Sequence, residues 1–338
     1  MPLFEALFDL NGTRTRKQAL RVFLVLLGLY AGYLLIEKHA PFQTRFVAPL
    51  VGLAYVWWWA TLVRRFHDAG RSGGWTVLLL VPGANLVVSL AGLVLRQGRP
   101  FNDSNAGLRL AGTLVLVAYA LLSLSRLFWA PYAIPAESMK PTLLVGDQIV
   151  MRYQSAGSLT RGDVVVFRHP VNGVPMVKRL IGLPGDVVQM RAGRVLLNGA
   201  DLVQADAGMF SEPFQPQGPY GNLPRCLNAV VGVGGTCDKA LTTETQGDGR
   251  SYRIASIETG GPFDDTPPFT VPAGHFFFLG DNRDNSNDSR IAQTAGGLGF
   301  VAVENVIGQV SRVMISSAGK SPWQVWDWRG ERMFKAVE

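Results

Sequence analysis

Four apolar runs crowd into the first 129 residues, at 19–36, 46–63, 75–95 and 110–129. The last is 20 residues long, the length that carries a helix across a bilayer core. In hydrocarbon every backbone polar group must be bonded within the segment, so these runs are expected to form membrane helices. Charge follows the same division. Residues 1–130 hold 13 Lys and Arg against 5 Asp and Glu, whereas residues 131–338 hold 19 against 20. The basic excess of the chain, +7 overall, therefore lies wholly among the apolar runs. Basic proteins often bind nucleic acid. Here the charges flank hydrophobic segments instead, as Lys and Arg do in cytoplasmic loops, and no nucleic-acid partner is expected.

The loops constrain the topology. Arg14, Arg16 and Lys17 precede the first run, Arg64, Arg65 and Arg71 follow the second, and Arg96, Arg99 and Arg109 lie between the third and fourth. All three groups prefer the cytoplasm, which is impossible if the third run crosses fully. That run is interrupted by Val81-Pro82-Gly83-Ala84-Asn85, a helix breaker. A re-entrant hairpin there returns the chain to the cytoplasmic side, and the fourth run then places residues 131–338 outside. The alternative is four full crossings from an outside N-terminus. Glu5 and Asp9 at the start argue against a cleavable signal peptide.

Beyond residue 130 the pattern changes. Short β-type runs at 148–153, 163–168, 176–181, 187–191, 194–197, 275–279 and 306–315 alternate with Gly, Pro, Asn and Asp, which predicts a mostly-β domain. Residues 200–270 carry few periodic segments and read as an insertion. The expected division is a multi-helix membrane domain over 1–109, an anchor helix over 110–130, and an extracytoplasmic domain over 131–338. Trp323, Trp326 and Trp328 read as core, with a surface at the lipid headgroups as the alternative. Cys226 and Cys237 are too few for a zinc site. In a non-cytosolic compartment they form one disulfide; otherwise they are two free thiols.

Two residues carry the chemistry. Ser138 lies nine residues beyond the fourth run, within reach of about 30 Å of extended chain. A serine hydroxyl needs a base, yet the four histidines form no recognisable triad, and no G-x-S-x-G elbow is present. Lysine can serve when desolvation lowers its pKa. Strand alternation puts Lys178 on one face with Met176 and Leu180, the apolar setting a neutral amine requires. Lys140 is the competitor. It stands only two residues from Ser138, before Pro141, and is expected to face solvent. The polar run Gly280 to Arg290 fails the calcium-loop pattern, with Arg283 and Ala292 at ligand positions. A structural network fits it better, and neither metal nor cofactor is expected.

Four strings, in order, resemble the conserved boxes of the type I signal peptidases. They are Pro135-Ala136-Glu137-Ser138-Met139-Lys140-Pro141-Thr142-Leu143, Arg161-Gly162-Asp163-Val164-Val165-Val166-Phe167, Val177-Lys178-Arg179-Leu180-Ile181-Gly182-Leu183-Pro184-Gly185-Asp186 and Gly280-Asp281-Asn282-Arg283-Asp284-Asn285-Ser286. The resemblance implies Ser138 as nucleophile, Lys178 as general base and Ser286 as the group that orients the lysine amine. It implies Asp288, Arg179 and Arg290 as charged support, Asp281 and Arg283 as holders of the loop, and the Ser138 N–H as oxyanion donor. Its substrates would be preprotein signal peptides ending in small residues, cleaved at the bilayer of a bacterial inner membrane with the catalytic domain in the periplasm, in company with the export machinery. Ala136 departs from the pattern, because many members carry a hydroxyl there that helps the oxyanion. Phe8-Asp9-Leu10-Asn11-Gly12-Thr13-Arg14-Thr15-Arg16 and Arg64-Arg65-Phe66-His67-Asp68-Ala69-Gly70-Arg71-Ser72-Gly73-Gly74-Trp75 resemble a bacterial inner-membrane family of unknown function. In it His67 and Asp68 read as loop or interface residues. The competing readings are a specialised Ser/Lys processing peptidase and a non-catalytic membrane scaffold.

Overall fold

The structure is a computed structural model describing residues 7–39, 44–81, 84–101, 106–228 and 230–337, the side chains of 38 and 39 excepted. The chain divides into two compact units, Met1–Phe128 and Trp129–Glu338.

The first unit is helical: α1 (Arg16–His39), α2 (Thr44–Asp68), a 3-10 segment (Gly73–Leu80), α3 (Ala84–Val94) and α4 (Ala106–Ser125). Three of these, α1, α2 and α4, are long and apolar enough to span a membrane. Their outer faces carry exposed Leu24, Leu27, Leu35, Leu114 and Leu122, while Trp58, Leu62 and Leu116 pack inside. The third apolar run is not one helix. It breaks into the 3-10 segment and the 11-residue α3, and its turn at residues 82–83 lies outside the described residues. Both ends of this broken run lie at one end of the bundle. Gly98 N–H donates to Asp68 O at 2.9 Å and Phe101 N–H to His67 O at 2.9 Å. Arg16 donates to Leu93 O and Val94 O, and Arg109 to Asn11 Oδ1 at 2.6 Å. The start of α1, the end of α2, the end of α3 and the start of α4 thus meet. Tyr119, near the other end of α4, packs tilted against Tyr55, in the first half of α2, with ring centroids 5.6 Å apart. The expected separate anchor is part of this bundle, and its helix stops at Ser125 because the chain turns to strand at Trp129.

The second unit is β-rich. Its main sheet comprises β1 (Trp129–Ala133), β2 (Asp147–Tyr153), β3 (Val164–Arg168), β4 (Pro175–Gly182), β12 (His275–Leu279), β13 (Val301–Ala302) and β14 (Val306–Ser316), in the order β1-β2-β14-β3-β4-β12-β13. All pairings are antiparallel. A second sheet holds β5 (Val187–Arg191), β6 (Arg194–Leu197), β7 (Ala200–Asp201) and β11 (Phe269–Thr270). The 200–270 excursion is more regular than its composition suggests. It contains a three-stranded sheet, β10-β9-β8, from β8 (Val203–Pro213), β9 (Thr236–Thr245) and β10 (Ser251–Ser256). Its strands bury Lys239 and Glu244 completely, so a polar inner face hides the period-two signal. Cys226 and Cys237 are joined by a disulfide, with Cα atoms 5.1 Å apart. The tryptophan tail is not core. Trp323 and Trp326 are 82% and 76% exposed, and only Trp328 is half-buried, its Nε1 bound to Pro322 O at 2.8 Å.

Candidate active site

Strand β4 places the lysine. It lies between β3 and β12, with Lys178 opposite Val165 and Arg179 opposite Leu279. The apolar neighbours on the Lys178 face, Met176 and Leu180, belong to one cluster with Phe167 and Phe278. Only 2% of Lys178 is exposed. Burial pushes its amine down to about 8; Asp288 and Asp281 oppose that shift and Arg290 adds to it. Ser138 stands on the turn after β1, half-buried, its carbonyl accepting from Asn282 N–H at 3.0 Å. Its Oγ lies 2.5 Å from Lys178 Nζ.

Three buried ion pairs support the loop after β12. Arg179 binds Asp281 through two bonds of 2.7 Å, and its guanidinium stacks 3.9 Å over Tyr252. Arg290 grips Asp288 at 2.8 and 2.9 Å. Burial alone would raise the Asp288 carboxyl, but Arg290 overrides it and holds it below its ordinary value. Arg283 forms a bidentate pair with Glu244 of β9. Arg179 serves Asp281 because strand β4 delivers it beside the start of the loop. The arrangement differs from expectation in one respect. Ser286 does not orient the amine. Its Oγ is buried without a hydrogen-bond partner, packed so closely on Gly280 that a Cβ there would collide with it and come within 2.5 Å of Ser138 O.

Lys140 is also unlike its expectation. It is fully buried, with Nζ 2.5 Å from Glu137 and 2.7 Å from Glu212. Glu212, Lys239, Glu244 and Tyr252 were not singled out by sequence. They lie in the excursion, where no run marks them as belonging to the site. Thr142 also donates to Asp281.

Two clefts meet at the serine. One, about 500 Å³, is bordered by Glu137, Gln217, Asn222, Arg225 and Asn285. The other, about 140 Å³, is lined by Tyr132, Ala133, Ile134, Met139 and Val177. Ser138, Lys178, Ala136 and Met176 border both.

A hydroxyl touching a buried amine with depressed basicity, open to a cleft, can act as a serine hydrolase centre without histidine. The comparisons with known proteins agree with that class. Residues 108–315 match the family model for signal peptidase, peptidase S26, and residues 7–105 match the model of a protein family of unknown function, DUF805. Signal peptidase I of Rickettsia typhi is 34% identical over 231 residues, covering 60% of this chain and 76% of the relative. That of Pseudomonas fluorescens is 33% identical over 220 residues, covering 59% and 69%. A crystal structure of a signal peptidase I from Enterococcus faecalis aligns at 27% identity and a TM-score of 0.24, over 45% of this chain and 96% of that one. The chain belongs to the signal peptidase family, peptidase S26, and is a serine peptidase.

Proposed function

We propose that this chain removes signal peptides from exported preproteins, with Ser138 as nucleophile and Lys178 as general base. The observation that carries the reading is the 2.5 Å contact between Ser138 Oγ and Lys178 Nζ in an accessible cleft. Neutral Lys178 takes the hydroxyl proton as Ser138 attacks the scissile carbonyl. The acyl-enzyme forms, and the amine of the mature chain leaves with that proton. Water then gives a proton to Lys178 and attacks the ester, freeing the signal peptide's carboxylate and restoring Ser138. The 140 Å³ cleft suits a small side chain before the cut, and the Ser138 N–H serves as an oxyanion donor.

The basic end of the helical unit, with Arg14, Arg64, Arg65, Arg96, Arg99 and Arg109, belongs in the cytoplasm. Helices α1, α2 and α4 then cross, the broken run re-enters, and the catalytic unit follows on the periplasmic side of an inner membrane. Exposed Trp323 and Trp326 suit the lipid-headgroup region.

The test is cleavage of a preprotein bearing an Ala-x-Ala site by the purified chain in detergent. Wild type should cut after the small residue, while Ser138→Ala and Lys178→Ala should be inert. Equal inertness of folded wild type would favour the scaffold reading.

A further inference from the structure

The residues on either side of Ser138 are held by one buried network that reaches it from the excursion. Glu137 and Lys140 bind each other across the turn at 2.5 Å. Lys140 Nζ also donates to both oxygens of Glu212 at 2.7 Å and to Gln217 Oε1 at 2.8 Å. Glu212 is the last acidic residue of β8. Its carboxylate receives Lys239 Nζ from β9 at 2.7 Å and Gln217 Nε2 at 2.7 Å. Two cations face two carboxylates, so the cluster is neutral, and Lys140 and Lys239 are fully buried. A second arm arrives from the disulfide. Arg225, beside Cys226, donates its N–H to Glu137 Oε2 at 3.3 Å, and Cys226 is tied to Cys237, the β9 residue paired with Glu212. Asn285 of the loop after β12 completes the Glu137 carboxylate at 2.9 Å.

Such a cluster is a costly way to gain stability. Buried ion pairs are often no better than apolar packing of the same volume, and their best-attested use is to fix one geometry. The geometry at stake here is the turn of residues 137–140. Lys140 is no candidate for the base, since its amine is fully engaged away from Ser138 Oγ.

We propose that Lys140 is a positioning residue: bound between Glu137 and Glu212, it anchors the nucleophile turn to the excursion and sets where Ser138 Oγ meets Lys178. This rests on the Ser138 and Lys178 roles above. The excursion is then a brace for catalysis and not a passive surface addition.

Lys140→Met removes the cation that Glu137 and Glu212 share, leaving Glu137 without its lysine while Glu212 keeps Lys239. It should lower kcat roughly 10- to 100-fold, the scale of an ångström's misplacement, with KM little changed because the clefts keep their walls. Adding Glu137→Gln to Lys140→Met removes the carboxylate left without its lysine, while Glu212 keeps Lys239, and should recover part of kcat. The two changes should be strongly non-additive. Hydrogen exchange of the full chain, measured in a Ser138→Ala background, gives a readout independent of cleavage. Lys140→Met should speed exchange of the amides at residues 137–143 more than elsewhere in the catalytic unit. Wild-type kcat in a folded Lys140→Met enzyme, or exchange that rises evenly through the unit, would overturn the proposal. If wild type itself does not cleave but exchange quickens locally, the brace stands and the peptidase roles fail.

Discussion

Replacing Lys178 with methionine should make the catalytic unit more stable while abolishing cleavage. The lysine is 2% exposed among Met176, Leu180 and their neighbours, and burial lowers its pKa from 10.5 to about 8. At 1.36 kcal/mol per pH unit, this gap represents about 3 kcal/mol spent on holding a charged amine at pH 7. Methionine fills similar space without charge. Ser138 Oγ loses its partner, at a cost of about 1 kcal/mol, which leaves a gain of about 2 kcal/mol. For a unit of this size that is roughly 4–8 °C in Tm. The sign with pH follows from linkage. The unfolded chain binds the Lys178 proton more tightly than the folded one between about 8 and 10.5. The wild type's penalty is therefore complete below about 8 and fades as pH rises towards 10.5, and the advantage of the variant fades with it. Thermal unfolding of both full-length proteins in detergent, from pH 6 to 10, measures this directly. A methionine variant no more stable at pH 7, or an advantage that grows with pH, would refute the argument that Lys178 is held in an apolar site.

The same amine sets the rate profile: kcat should rise with pH through about 8 as Lys178 loses its proton, and Asp288→Asn, which removes the nearby charge favouring the ammonium, should move that limb to lower pH in steady-state assays. Gly280→Ala should cost at least 1–3 kcal/mol by overpacking and abolish cleavage, since the new methyl meets Ser286 and the Ser138 carbonyl; an active, stable variant would show the loop to be looser than described. Ala136→Ser restores a hydroxyl beside the nucleophile and should raise kcat by up to about a hundredfold, the worth of one oxyanion donor, with no change expected in Ser138→Ala controls.

Much of this molecule was legible because its signals are local. The run at 187–191 became β5 with its bounds intact, and the run at 275–279 became β12. Alternation was enough to place Lys178 with Met176 and Leu180. The breaker at Pro82 and the basic loops implied a run that turns back, and the ends of that segment do meet. What sequence hid depended on partners far along the chain. Lys140 looked solvent-facing because Glu212, 72 residues away, gives no sign of its destination. Strand β9 turns Lys239 and Glu244 inward, against the usual code of apolar inside and polar outside, and β8 buries no residue fully, so neither carries a legible pattern. Trp323 and Trp326 misled in the opposite sense, being large, apolar and exposed. Resemblance puts the Ser286 hydroxyl at the amine, whereas it is buried against Gly280 without a hydrogen-bond partner.

The broken third run has a consequence for how such a chain can be assembled in evolution. Because that segment enters and leaves at one end of the bundle, the proposed topology gives the helical unit an odd parity: α1 begins at one end and α4 finishes at the other. A module with this parity can be joined ahead of any domain that must work across the membrane from its own N-terminus, and the compartment of that domain is preserved. On the proposed topology, straightening residues 73–94 into one full crossing would reverse the parity and move the catalytic unit to the opposite side, without altering a single residue of its site.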